Sequence, residues 1–197
     1  MPTPPDIYED SGNRLPLIKR EDLPEEHRSL YDQAAGDPRA PVGLRGPGGI
    51  RLYSPRLTTL SRPASQFLRF EQGLEARYAE LAILVVARAM DNQFEWAAHE
   101  PAALRAGLAP QVVDVVKHRQ PLADLDDPER TIIQLGREAI DAHRVTSATF
   151  ARAHELFGTE VLVNLVELMG RYLATAILLC AFDQQLPPGE EPQLPVP

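Results

Sequence analysis

The apolar residues Val161, Leu162, Leu165, Val166, Leu168, Met169, Leu173, Ile177, Leu178 and Leu179 fall on most sides of the helix that their spacing implies. A helix of that kind in water must be covered on several faces at once. Residues 81–87, all apolar, make the same demand earlier in the chain. One subunit of 197 residues can hardly bury both. The expectation is an oligomeric core, shared between copies.

The rest of the chain reads as helices in series. Helical periodicity, capping residues and breakers predict helices over 24–35, 63–73, 74–90, 93–106, 110–119, 128–143, 147–157 and 160–184. Asp127 and Thr159 stand where N-caps belong, and Gly107 and Gly158 where C-caps belong. No run alternates with period two for long enough to make a strand, so the fold class is all-α. Pro2, Pro4, Pro5 and Pro16 make residues 1–22 an extended arm. A single all-α domain is expected over 23–186, followed by a loose proline-rich tail over 187–197. Residues 37–52 hold Pro38, Pro41, Gly43, Gly46, Pro47, Gly48 and Gly49 and read as a long loop. The stretch from Gly46 to Gly49 lacks the Gly-Lys-Ser/Thr ending and the preceding strand of a phosphate loop.

Composition excludes several functions. A net charge of −8 repels phosphate backbones, and no cluster of basic residues with interleaved aromatics appears, so nucleic acid is not an expected partner. Apolar runs stay under about 10 residues, against the ~20 needed to span a bilayer. The N-terminus has no signal-peptide pattern, so the expected location is cytoplasmic, with no membrane partner. The single cysteine, Cys180, lies in an apolar run and reads as a small core residue, too little for a disulfide, zinc or redox motif. No metal site and no cofactor are expected: His99–Glu100 and His154–Glu155 lack Glu-x-x-His spacing, and the only lysines, Lys19 and Lys117, sit in no apolar run.

Chemistry concentrates between positions 77 and 108. Glu80 opens an otherwise apolar helix, where an ionised carboxylate costs several kcal/mol unless paired or protonated. Arg77, one turn before it, offers a structural ion pair, or a grip on a substrate carboxylate. One helix later, Glu95 and His99 are spaced i, i+4 and Trp96 and His99 i, i+3, so the three share a face. Such a face presents an acid, an aromatic wall and a proton carrier for neutral pH. Asn92 and Glu95 also fit a capping box, which would give Glu95 a helix-start role only. Pro101 cannot donate to the carbonyl of Ala97, so a kink or restart is expected just past His99. His27, His118, His143 and His154 lie at helix ends or on amphipathic surfaces. On spacing alone, the structural role for His99 is the favoured one.

A family resemblance reverses that. Arg77 and Glu80, the apolar helix, the run Glu95, Trp96, Ala97, Ala98, His99, Glu100, and the closing Ala106, Gly107, Leu108 resemble the signature of the carboxymuconolactone decarboxylase-like family, which also holds the alkylhydroperoxidase D-like proteins. The resemblance spans roughly residues 50–185. It implies an alkylhydroperoxidase D-like helical bundle, assembly into trimers or hexamers, His99 as the active-site histidine and Glu80 as its acidic partner. The peroxidase branch places two cysteines before the histidine, and Asn92 and Glu95 stand there instead. The resemblance therefore implies a lyase of the decarboxylase type, active on small molecules in aromatic compound catabolism. His99 and Glu80 would be catalytic, with Trp96, Glu95, Phe94 and Arg77 lining the substrate site. A non-catalytic oligomeric small-molecule-binding protein and a peroxidase of the peroxiredoxin kind are the alternatives.

Overall fold

Helix follows helix along the chain because starts and stops recur at short intervals. The computed structural model describes residues 4–36 and 43–195. Part of the expected loop at 37–52 and the outermost ends of the expected arm and tail lie outside the described residues. Among these residues the helices are α1 (Arg28–Gly36), α2 (Pro47–Leu52), α3 (Pro55–Phe70), α4 (Ala76–Ala89), α5 (Gln93–Arg105), α6 (Pro110–Lys117), α7 (Asp127–Gly136) and α8 (Ser147–Ala181). Among the described residues the sole β feature is an isolated bridge between Tyr8 and Asn13. The protein is all-α, as its periodicity predicts.

Several boundaries differ from the sequence reading, each for a local reason. α3 begins at Pro55 and runs through Pro63, which costs it one backbone donor rather than starting a new helix. α2 occupies part of the expected loop: a Cβ on Gly49 would lie 2.0 Å from the Leu44 carbonyl oxygen, so only glycine lets this turn close. Asp126, not Asp127, stands at the N-cap of α7, which ends in a π-helical turn, Arg137–Asp141. The two predicted helices 147–157 and 160–184 appear as α8, broken at Gly158 with φ 72°. α5 continues through Pro101 without restarting.

The chain divides into two compact units, Met1–Ala64 with Ile177–Glu191, and Ser65–Ala176 with Pro192–Pro197. This division does not follow the expected boundaries at 22/23 and 186/187. In the first unit Ile18, Leu23, Leu30, Ala34 and Leu52 pack together. The N-terminal segment is folded rather than extended. The Arg14 N–H donates to the Phe182 carbonyl (3.0 Å), the Gln185 N–H donates to the Gly12 carbonyl (2.7 Å), and Asn13 Nδ2 donates to Gln184 Oε1 (2.9 Å). Its prolines remove donors, but buried Ser11 and Asn13 replace them. Cys180, expected in a core, is exposed.

In the second unit α4 is the central rod, packed against α5, α6 and α7. Every residue from Leu81 to Ala87 is buried. Gly136 lets α7 approach: a Cβ there would fall 2.4 Å from Val85 Cγ1. α8 contributes Leu162, Leu165, Leu168, Met169 and Tyr172 to this core. Its Val163 and Val166 remain 55% and 47% exposed, so the apolar helix is covered on one side only. By length and composition alone α8 could cross a membrane; its buried side instead belongs to the core. The C-terminal segment is also held here, where Leu194 is buried and Gln93 Oε1 accepts from the Gln193 and Leu194 N–H groups (2.9 Å each).

Candidate functional site

Asn92 starts α5 by accepting the Glu95 N–H on its side-chain oxygen (2.9 Å). That cap fixes the phase of α5, and the phase turns Glu95 and His99 towards the same neighbourhood. Glu80, near the start of α4, arrives from the neighbouring helix. His99 Nδ1 and Glu80 Oε2 lie 2.7 Å apart. His99 Nε2 lies 3.7 Å from Glu95 Oε2. The side chains of His99, Glu95 and Glu80 are only 8%, 5% and 13% exposed. Tyr172 from α8 sets its ring edge-on to the imidazole, with centroids 5.1 Å apart.

Electrostatics order these groups. Burial by itself would raise the Glu80 carboxyl above its ordinary value of 4.5; the hydrogen bond and charge of His99 and the charge of Arg69 outweigh it, and the carboxyl sits below that value. Arg69 Nη2 lies 3.6 Å from Glu80 Oε1. Glu80 is thus a carboxylate at neutral pH and can only accept. Nδ1 must carry the imidazole proton that it donates to Glu80, leaving Nε2 on the Glu95 side.

The structure brings Glu80, Glu95 and His99 together; the other residues singled out in the sequence lie otherwise. Arg77 does not pair with Glu80. Its Nε donates to Glu75 Oε2 (3.0 Å) and its Nη2 to the Tyr78 hydroxyl (2.9 Å). Side chains on a helix lean towards its N-terminus, so Arg77, on the first turn of α4, reaches back rather than forward. Trp96 is wholly enclosed, not an exposed wall, and its Nε1–H donates to Glu100 Oε2 (2.8 Å). Lys117 Nζ stands 3.6 Å from Glu100 Oε1. Phe94 is likewise buried. Sequence reading missed Arg69 and Tyr172. Neither has a local signature: each lies on a helix distant in sequence from His99.

A second charged cluster lies at the far end of α4, where Arg88, Arg119 and Arg137 rim a cleft with room for about 10 Å³. Their guanidiniums donate to carbonyls at or near helix ends: Arg88 Nε to Lys117 (2.8 Å), Arg137 Nη1 to Gln120 (3.0 Å) and Arg119 Nη2 to Arg88 (3.4 Å). This is helix capping by cations. Among the described residues no group of three or more His, Cys, Asp or Glu side chains is arranged to hold a metal ion.

Residues 62–127 match the model of the carboxymuconolactone decarboxylase family. Over that segment the chain is similar to that family. The match covers less than half of the chain, but it contains Arg69, Arg77, Glu80, Glu95, Trp96 and His99. No curated protein matches the chain with significance. Carboxymuconolactone decarboxylase family segments are compatible with decarboxylase-like and with alkylhydroperoxidase-like function.

Proposed function

We propose that this chain is a proton-transfer enzyme of the decarboxylase kind. Its substrate would be a small carboxy-lactone or a related carboxylic acid, and His99 and Glu80 would handle the proton. The observation that carries the reading is the 2.7 Å contact between these two buried groups, brought together from neighbouring helices. Loss of carbon dioxide breaks a carbon–carbon bond and sends its electron pair into a conjugated carbonyl. The resulting enolate must then take a proton on carbon. An imidazole held by a carboxylate suits that step, because the carboxylate fixes the tautomer and stabilises the imidazolium form.

The peroxidase alternative needs a reactive thiolate and a resolving partner. Asn92 and Glu95 stand at the positions where the resembled branch has cysteines, and the chain has a single cysteine elsewhere. We also assign the exposed apolar side of α8, with Val163 and Val166, to contact with further copies of the chain, as a trimer or hexamer.

Purified protein assayed against a panel of lactones and of β-keto and vinylogous acids tests the reading. The expected result is release of carbon dioxide from at least one of them, lost in His99→Ala. Tight binding of panel compounds without turnover would instead identify a binding protein.

A further inference from the structure

We infer that Arg69 is the substrate's anchor: its guanidinium takes the oxygen on which negative charge collects as carbon dioxide leaves. The inference rests on the decarboxylase reading of this site and names the substrate group that the site must hold. A guanidinium carries five N–H donors. Several arginines elsewhere in this fold spend theirs on carbonyls: Arg88 on Lys117, Arg119 on Arg88, Arg130 on Leu122 and Arg137 on Gln120. Arg69 does not. Among the described residues it meets Glu80 Oε1, 3.6 Å from its Nη2, and the ring of Phe70, whose centroid lies 4.7 Å from its Cζ. The first distance is longer than a settled hydrogen bond, and the second is a cation–π contact. Its Nε is buried and has no hydrogen-bond partner among the described residues. A buried donor in that state is destabilising, and such groups call for a ligand or a water to complete them.

Exposure gives the direction of approach. The Arg69 side chain is 22% exposed, more than that of Glu80 or of His99. A small molecule arriving from solvent meets Arg69 before the imidazole. One carboxylate joins the two, with Arg69 beside Oε1 of Glu80 and His99 on Oε2. A molecule hydrogen-bonded to the guanidinium therefore lies beside the imidazole. Which of its oxygens is held follows from the movement of charge. The departing carboxylate loses its charge, so a guanidinium on it would favour the ground state and oppose the reaction. The bond from the carboxyl carbon to its neighbour breaks, the electron pair enters the conjugated carbonyl, and the carbonyl oxygen becomes the enolate oxygen. A guanidinium on that oxygen binds more strongly as the charge arrives. His99, as imidazolium, then gives its proton to carbon, the enolate returns to the carbonyl, and the neutral imidazole takes a proton from water. The grip on substrate that the sequence offers to Arg77 thus falls to Arg69. The substrate class narrows to acids whose carboxyl group is conjugated, through the bond that breaks, to a lactone or ketone carbonyl.

Tetronate, a lactone that is already an enolate at neutral pH, probes the anchor without turnover. In a nitrogen-15 NMR titration it is expected to shift the Nε–H signal of Arg69, assigned as the one missing from Arg69→Lys, together with the ring nitrogens of His99. Its affinity should fall about 10–100-fold in Arg69→Gln. The fall should be smaller in Arg69→Lys, which keeps the charge. Glu80→Gln should leave the tetronate-dependent shift of Arg69 in place; its loss there would show that Arg69 serves Glu80 alone and would overturn the inference. Tetronate that does not bind, or that binds Arg69→Gln as well as wild type, also overturns it. So does acetate held at Arg69 more tightly than tetronate, which would put the departing carboxylate there. With a panel substrate, Arg69→Gln should lower kcat by about 10²–10³-fold and leave KM within a few-fold. A change confined to KM would contradict the anchor. If Arg69 holds tetronate while no panel compound is turned over, the decarboxylase reading fails and the anion-binding arginine stands. Turnover indifferent to Arg69→Gln removes the anchor and leaves the enzyme.

Discussion

α5 presents two clusters built around glutamates, and they differ in how charge is arranged. In one, Trp96 donates to Glu100 and Lys117 balances the acid. Each polar group there has an opposite, and nothing invites further chemistry. In the other, Glu80 and Glu95 flank a single imidazole, and Arg69 lies 3.6 Å from Glu80. Burying two acids on one histidine is a poor way to stabilise a fold, because desolvated charge is costly. Buried titratable groups of that kind cluster at functional sites. On the proposed reading, the comparison separates a cluster that builds the helix from one that the helix places for chemistry.

Breaking each cluster should therefore give opposite signatures. The largest effect expected is on catalysis: His99→Ala should reduce turnover of the panel substrate by about 10²–10⁴-fold. Circular dichroism should show the helices intact. Glu100→Gln should change turnover little. Next in size, Trp96→Ala should destabilise by about 3–5 kcal/mol in denaturant titration, since the indole is wholly buried. A Trp96 variant with wild-type stability and lost turnover would erase the distinction between the clusters.

Arginines sharpen it further. Arg69→Gln removes the charged partner of a mostly buried carboxylate and should cost about 1–3 kcal/mol. Arg77→Gln removes contacts with Glu75 and with the hydroxyl and ring of Tyr78, all near the surface, and should stay within about 0.5 kcal/mol. Smallest is a pH effect. The Glu80 carboxyl sits below its ordinary value in the folded chain, so the unfolded chain binds its proton at higher pH. The stability that Glu80 contributes is therefore present above the ordinary value and lost as pH falls through the folded one. Glu80→Gln should flatten the decline in melting temperature on acidification from about pH 5 to pH 3. A decline equal to wild type would show that Glu80 is not held as a carboxylate.

What the sequence revealed follows the range of the physical signal. Capping and periodicity are local, so most helices and the Asn92 cap were legible. Glu80 was legible because a carboxyl in an apolar run needs a partner, and His99 because it matches the histidine of the resembled family; its spacing from Glu95 alone favoured a structural role. Arg69 was not, because its approach to Glu80 depends on how α3 meets α4, which no spacing encodes. Arg77 was misplaced because i, i+3 spacing ignores the backward lean of helical side chains. Cys180 was misplaced because a helix apolar nearly all round gives no phase, and the exposed side cannot be chosen from sequence.

The central claim is that Glu80 and His99 act as one unit, and a double-variant cycle measures that directly. In kcat/KM on one panel substrate, His99→Ala, Glu80→Gln and the double variant are compared with wild type. Residues that act as a unit are non-additive, so the double variant should be hardly slower than the worse single variant. A combined loss equal to the product of the two single losses would contradict the claim. An undiminished rate in His99→Ala would end it.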